Sequence, residues 1–227
     1  MKINLRYIIA FLLLMLLIQE AHEITHMLTD GVLHGCGGTR YFLFWDLCTT
    51  GPTTEVVITA LAGPFMNYLF MWMGYSLLSN NSTTVQKSWG FTFIMAALPL
   101  SRLQSLVLRG GDELLSFRKI MDPNPPFKGA PVIMGSLLIL LLTVPPLWRA
   151  YKNAGNYKLL VFAAFLLLPY IFTSLLQKVI MNTGIKTGLL NAPTGWSGLT
   201  WLVLLDLVLL LLFVLTRKSI ATLFRQR

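Results

Sequence analysis

The chain is expected to fold as an all-α, polytopic transmembrane helical bundle of about six helices. Three observations predict this. Hydrophobic residues make up 55% of its 227 positions, charged residues only 12%, and the apolar side chains gather into runs near the roughly 20 residues that cross ~30 Å of hydrocarbon. Soluble domains carry about 25% charged residues, so a chain with half that supply cannot cover a water-facing surface in the ordinary way. No extended polar region remains for a separate soluble domain.

The first span covers about residues 5–29. Lys2, Arg6 and the apolar stretch 7–18 resemble a secretory leader, but Gln19-Glu20-Ala21 is a poor small-x-small cleavage site. An uncleaved membrane helix is therefore expected. The loop that follows holds both cysteines, Cys36 and Cys48, which are either a disulfide, if that side is oxidising, or two ordinary thiols. The second and third spans are expected at 56–78 and 89–108, separated by the polar turn Asn80-Asn81-Ser82-Thr83-Thr84. The rigid breaker Asp122-Pro123-Asn124-Pro125-Pro126 precedes a fourth span at 131–148. The fifth is expected at 158–180 and the sixth at 198–215, with a turn at Asn191-Ala192-Pro193-Thr194-Gly195 between them. Trp89, Trp148, Tyr151, Tyr157, Trp196 and Trp201 fall near span ends, where amphipathic rings anchor helices at the interface.

The net charge of +9, from 18 basic and 9 acidic residues, suits a membrane surface better than a nucleic acid. Basic residues lie mainly between the spans, as in Arg118-Lys119 and Arg217-Lys218, where they contact anionic headgroups. They are not interleaved with aromatics, so no nucleic-acid partner is expected. Ten Lys and Arg fall on the N-terminal side and eight on the other, which does not fix the orientation. The expected location is the cell (inner) membrane, as a multi-pass integral protein.

His22-Glu23-Ile24-Thr25-His26 is the chemically richest stretch. On a helix, positions four apart lie on one face, so two imidazoles can reach one Zn2+ ion. Glu23 lies beside the first histidine and can approach the metal's water without being a ligand, as general base and then general acid. The motif follows an apolar stretch, 8–21, where ionisable groups are expensive and are functional candidates by default.

A catalytic zinc usually has three protein ligands and water. The start of the second span and the end of the third return to the motif's side of the membrane. Arg109-Gly110-Gly111-Asp112-Glu113 offers Asp112 as the leading third ligand and Glu113 as the fallback, with paired glycines permitting a tight break. Glu20, His34, Asp46 and Asp206 are weaker candidates. In Ala62-Gly63-Pro64-Phe65-Met66-Asn67, Gly63 and Pro64 allow close helix contact or a kink. Asn67 is placed to hydrogen-bond substrate backbone, to steady the metal site, or simply to join helices.

Together these features resemble the site-2 protease family of intramembrane zinc metalloproteases. The resemblance rests on His22-Glu23-x-x-His26, on Ala62-Gly63-Pro64-x-x-Asn67 and on Asp112. It covers about residues 5–120. It implies a three-helix metalloprotease core over 1–120; beyond the resemblance, three further helices over 121–227 are a candidate substrate gate. The resemblance also implies zinc held by His22, His26 and Asp112, Glu23 as catalytic acid/base, and cleavage of a peptide bond in or near a transmembrane protein or peptide substrate. The chain departs from the family where Ala96-Ala97-Leu98-Pro99-Leu100 stands in place of an asparagine and proline close before an Asp-Gly pair.

Two other functions use the same histidines. A non-proteolytic zinc sensor or transporter would not depend on Glu23 as a base. A membrane zinc protease for lipidated C-termini would favour a glutamate third ligand, here Glu113. The sequence leaves substrate, trigger and oligomeric state open.

Overall fold

In this computed structural model the described residues are 1, 3–36, 39–41, 43–46, 53–122, 126–155, 157–180 and 200–224. Among them the helices are α1 (Leu5–His34), α2 (Thr53–Leu77), α3 (Thr84–Ala96), α4 (Pro99–Leu108), α5 (Asp112–Met121), α6 (Ala130–Asn153), α7 (Lys158–Ile180) and α8 (Trp201–Thr216). A 3-10 turn, Arg217–Thr222, continues α8. A short antiparallel hairpin, β1 (Thr39–Tyr41) and β2 (Phe44–Asp46), connects α1 to α2 with Arg40 opposite Trp45.

The protein is an all-α bundle and an integral membrane protein. Helices α1, α2, the α3–α4 pair, α6 and α7 are each long and apolar enough to cross a bilayer. The 16 residues of α8 rise only about 24 Å, and the 3-10 turn lengthens that span. Cys48, on which the choice between a disulfide and two thiols depends, and the turn at 191–195 lie outside the described residues.

Helix α1 is the axis of the bundle. Its N-cap is Asn4, whose side chain accepts a hydrogen bond from Tyr7 N–H (2.8 Å). Tyr7, Ala10, Phe11, Leu14, Met15 and Ile18 line one buried face, and Leu13 and Leu16 are buried on the others, as expected of a helix with neighbours on more than one side. It contacts α2, α3 and α8, and Phe165 of α7 meets the rings of Phe11 (5.0 Å) and Phe91 (5.4 Å). Lipid gives no hydrophobic drive between helices, so close packing and polar contacts hold them. Tyr7 and Thr92 hydroxyls share a hydrogen bond across α1–α3 (3.1 Å), and Trp72 Nε1 donates to Leu142 O across α2–α6 (3.1 Å).

Three local departures from the sequence expectation have physical causes. Helix α3 starts at Thr84, five residues before the expected 89, because Thr83 and Gln86 form a capping box. The expected third span is then two helices. Pro99 has no N–H and disfavours a helical residue before it, and Leu98 takes a left-handed φ of 53°. Finally, the stretch expected as a loop after the third span contains α5. Its acidic first turn (Asp112, Glu113) and basic last turn (Arg118, Lys119) complement the helix dipole.

Candidate metal and catalytic site

Two donor atoms of the site come from one face of α1. His22 and His26 are buried, and their Nε2 atoms stand 3.2 Å apart. The third comes from α5. Leu108 ends α4, Arg109 turns left-handed (φ 50°), and Gly111 takes φ 91°, a conformation that glycine adopts without strain. A side chain at Gly111 would also run into Ser105 Oγ at 2.6 Å. This tight reversal sets Asp112 at the first position of α5. Its Oδ2 lies 3.6 Å from His22 Nε2 and 3.8 Å from His26 Nε2.

The hydrogen bonds behind the rings fix their tautomers. Ala97 O only accepts, so the Asn67 amide must present Nδ2 to it (3.0 Å). That leaves Asn67 Oδ1 facing His22 Nδ1 (3.0 Å), and His22 must donate there. His26 Nδ1 likewise meets a pure acceptor, Thr59 O on α2 (2.7 Å). With both protons on Nδ1, both Nε2 lone pairs point at the Asp112 carboxylate and at each other. Three electron-pair donors so arranged require a cation between them, either a proton or a metal ion.

The donor set fits a small divalent metal. A point equidistant from His22 Nε2, His26 Nε2 and Asp112 Oδ2 is about 2.1 Å from each, within the ~2.0–2.2 Å at which zinc binds imidazole nitrogen and carboxylate oxygen. The space is reserved by Gly63 on α2. A Cβ there would stand 2.2 Å from His26 Nε2 and 2.7 Å from His22 Nε2. The Glu23 carboxylate also has an oxygen within 4.8 Å of the histidine donor atoms, and Gln19 Nε2 donates to its Oε1 (3.0 Å).

Asp112 and Glu113, left as alternatives by the sequence, have different surroundings. Glu113 is fully buried and turned away from the histidines. It accepts from Tyr68 Oη (2.8 Å) and from Arg102 Nη1 (3.2 Å). Arg102 Nη1 also approaches Asp112 Oδ2, the oxygen that faces the histidines, at 3.6 Å. Burial acts to raise the Asp112 carboxyl, but its contacts with His22 and His26, when a proton lies between Nε2 and Oδ2, and the charge of Arg102 outweigh this. They hold it well below the usual carboxylate range.

The weaker candidates lie elsewhere. Glu20 accepts from Leu43 N–H at the hairpin turn (2.8 Å). His34 is the last residue of α1 rather than part of a loop. Its Nδ1 meets Asp30 Oδ1 (2.6 Å) and its Nε2 meets Glu55 Oε2 (3.0 Å), so these carboxylates sit on opposite ring nitrogens and do not converge on one point. Asp46 is in β2 and Asp206 in α8. Of the roles open to Asn67, orienting His22 is the one its contacts carry. It is fully buried, with both ends of its amide engaged.

Sequence reasoning did not find Gln19, Thr59, Ala97, Arg102 or Tyr68. Only Pro99 left a signal, since a proline inside an apolar span frees a carbonyl of the preceding turn. Ser101 N–H bonds Leu98 O instead of Ala97 O, which leaves the Ala97 carbonyl for Asn67. No family model, curated protein or solved structure matches this chain.

Proposed function

We propose that this chain is an intramembrane zinc endopeptidase of the cell (inner) membrane. It hydrolyses a peptide bond in or near the transmembrane segment of a membrane-protein substrate. The observation that carries this reading is the convergence of His22 Nε2, His26 Nε2 and Asp112 Oδ2, with the Glu23 carboxylate beside them on a membrane helix. His22, His26 and Asp112 would hold the zinc ion, which when bound polarises the scissile carbonyl and activates the attacking water.

The remaining chemistry belongs to side chains of this chain. Glu23 takes a proton from the water as it adds to the carbonyl carbon. It then returns that proton to the amide nitrogen as the C–N bond breaks, so the amine leaves neutral. Gln19 Nε2 occupies Glu23 Oε1, leaving Oε2 to hold the proton. Asn67 and Thr59 O keep both imidazole rings from rotating, and the Arg102 contact keeps Asp112 turned inward.

Glu23→Gln tests this directly, because it preserves shape and the Gln19 contact while removing the proton acceptor. In vesicles holding the full chain and a fluorescently labelled single-span peptide, cleavage should fall by about 100-fold or more with zinc content unchanged. Cleavage that persists at the wild-type rate would overturn the assignment.

A further inference from the structure

The end of the bundle opposite this site is basic and, among the described residues, carries no acid. Lys87, Arg149, Lys152, Arg217 and Lys218 lie there, where α3 begins and α6 and α8 end. Phe224 N–H donates to Ser88 Oγ (3.1 Å), and Met1 lies beside Gly155, which ties these segments to one end. The acidic residues of α1, the hairpin, α2, α5 and α8 all fall in the other half.

A cavity of about 470 Å³ opens here between the end of α2 and the last turns of α6. Arg149, Lys152, Asn80 and Asn153 form its polar lining, and Trp148 and Tyr75 its aromatic wall. The Arg149 guanidinium lies 4.3 Å from the Tyr75 ring centre, and Lys152 Nζ lies 5.2 Å from that of Trp148. Stacking uses the face of a guanidinium and leaves its edge N–H donors for an anion. Among the described residues neither side chain has a carboxylate or a hydrogen-bond acceptor. Three residues apart on α6, the two cations share a face and repel. The carboxyl end of α6 supplies only about half a negative charge against them.

We propose that this cavity binds the phosphate of an anionic phospholipid headgroup, with Arg149 and Lys152 as its cations. The aromatic wall matches headgroup depth, where Trp and Tyr rings settle. Leu78 and Pro145 complete the lining with apolar surface, which suits the root of an acyl chain better than a free ion. This inference does not depend on the chain being a protease.

The test uses the full chain in neutral detergent, with phosphatidylglycerol, phosphatidylcholine of matched chains, or inorganic phosphate added. Phosphatidylglycerol at about hundred-fold excess over its Kd should raise the Tm by roughly 5–10 °C, and phosphatidylcholine and inorganic phosphate should not. In the double variant Arg149→Gln/Lys152→Gln the rise should disappear, while zinc content and the lipid-free Tm stay at wild-type values. Equal stabilisation by the two lipids, or an undiminished response in the variant, overturns the site. The full rise with inorganic phosphate alone overturns the lipid as its occupant.

Discussion

Gly63→Ala should empty the metal site without touching a ligand. The methyl carbon would stand 2.2 Å from His26 Nε2, 2.6 Å from His26 Cδ2 and 2.7 Å from His22 Nε2. Those distances put it where an ion bound at about 2.1 Å would sit, so the methyl and the metal exclude each other. An ordinary carbon–nitrogen contact is over 1 Å longer, and α1 and α2 must part to relieve it. Such overpacking costs about 1–3 kcal/mol, which for a chain of this size is a fall in Tm of roughly 2–12 °C. The metal effect should be larger than the ~10–100-fold that disturbing an outer hydrogen bond costs. Metal content of the purified protein by mass spectrometry, with zinc titration against a fluorescent chelator, reads affinity. Circular dichroism and the metal-free Tm check that the bundle survives. A folded Gly63→Ala protein holding one zinc per chain at wild-type affinity would refute the placement of the site.

Two further outcomes follow from the same geometry. Asn67→Ala removes the acceptor that holds His22 Nδ1 and leaves Ala97 O unpaired. Zinc affinity by chelator competition should drop about 10–100-fold, and an unchanged affinity would show that the ring is held some other way. Asp112→Ala and Glu113→Ala should separate cleanly. The first loses zinc with little loss of fold. The second leaves Arg102 buried without its main partner, which costs about 3–5 kcal/mol and is read as a lowered melting temperature. Zinc loss from Glu113→Ala at full stability would reverse the assignment of the third ligand.

The parts of this protein that were legible in its sequence are those written in local spacing. His22, Glu23 and His26 were visible because a helix turns apolar text and a four-residue interval into one face. Asp112 was visible because Gly110 and Gly111 mark a reversal just before it. The start of α7 was readable because Lys158 opens an apolar run that continues to Phe172. What was not legible depends on partners far apart in the chain. Tyr68 meets Glu113 across 45 residues and Asn67 meets Ala97 across 30, and no periodicity encodes such pairs. Gly63 reads as a packing residue in sequence because its importance is the absence of atoms at a point defined by another helix. Helix α5 could have been anticipated from its charges, acidic at the start and basic at the end. Its ten residues simply fall short of the length on which apolar runs are recognised.

The left-handed residue at Leu98 has a reach beyond its own turn. Pro99 interrupts the helix, the interruption spares the Ala97 carbonyl, the carbonyl aligns the Asn67 amide, and the amide decides which nitrogen of His22 carries a proton. The tautomer of His22 is thus set by backbone geometry more than seventy positions along the chain. If the proposed zinc site is correct, variation at 97–99 would therefore weaken it while every proposed ligand and the proposed base remain in place, and a survey confined to those four residues would score such a chain as intact.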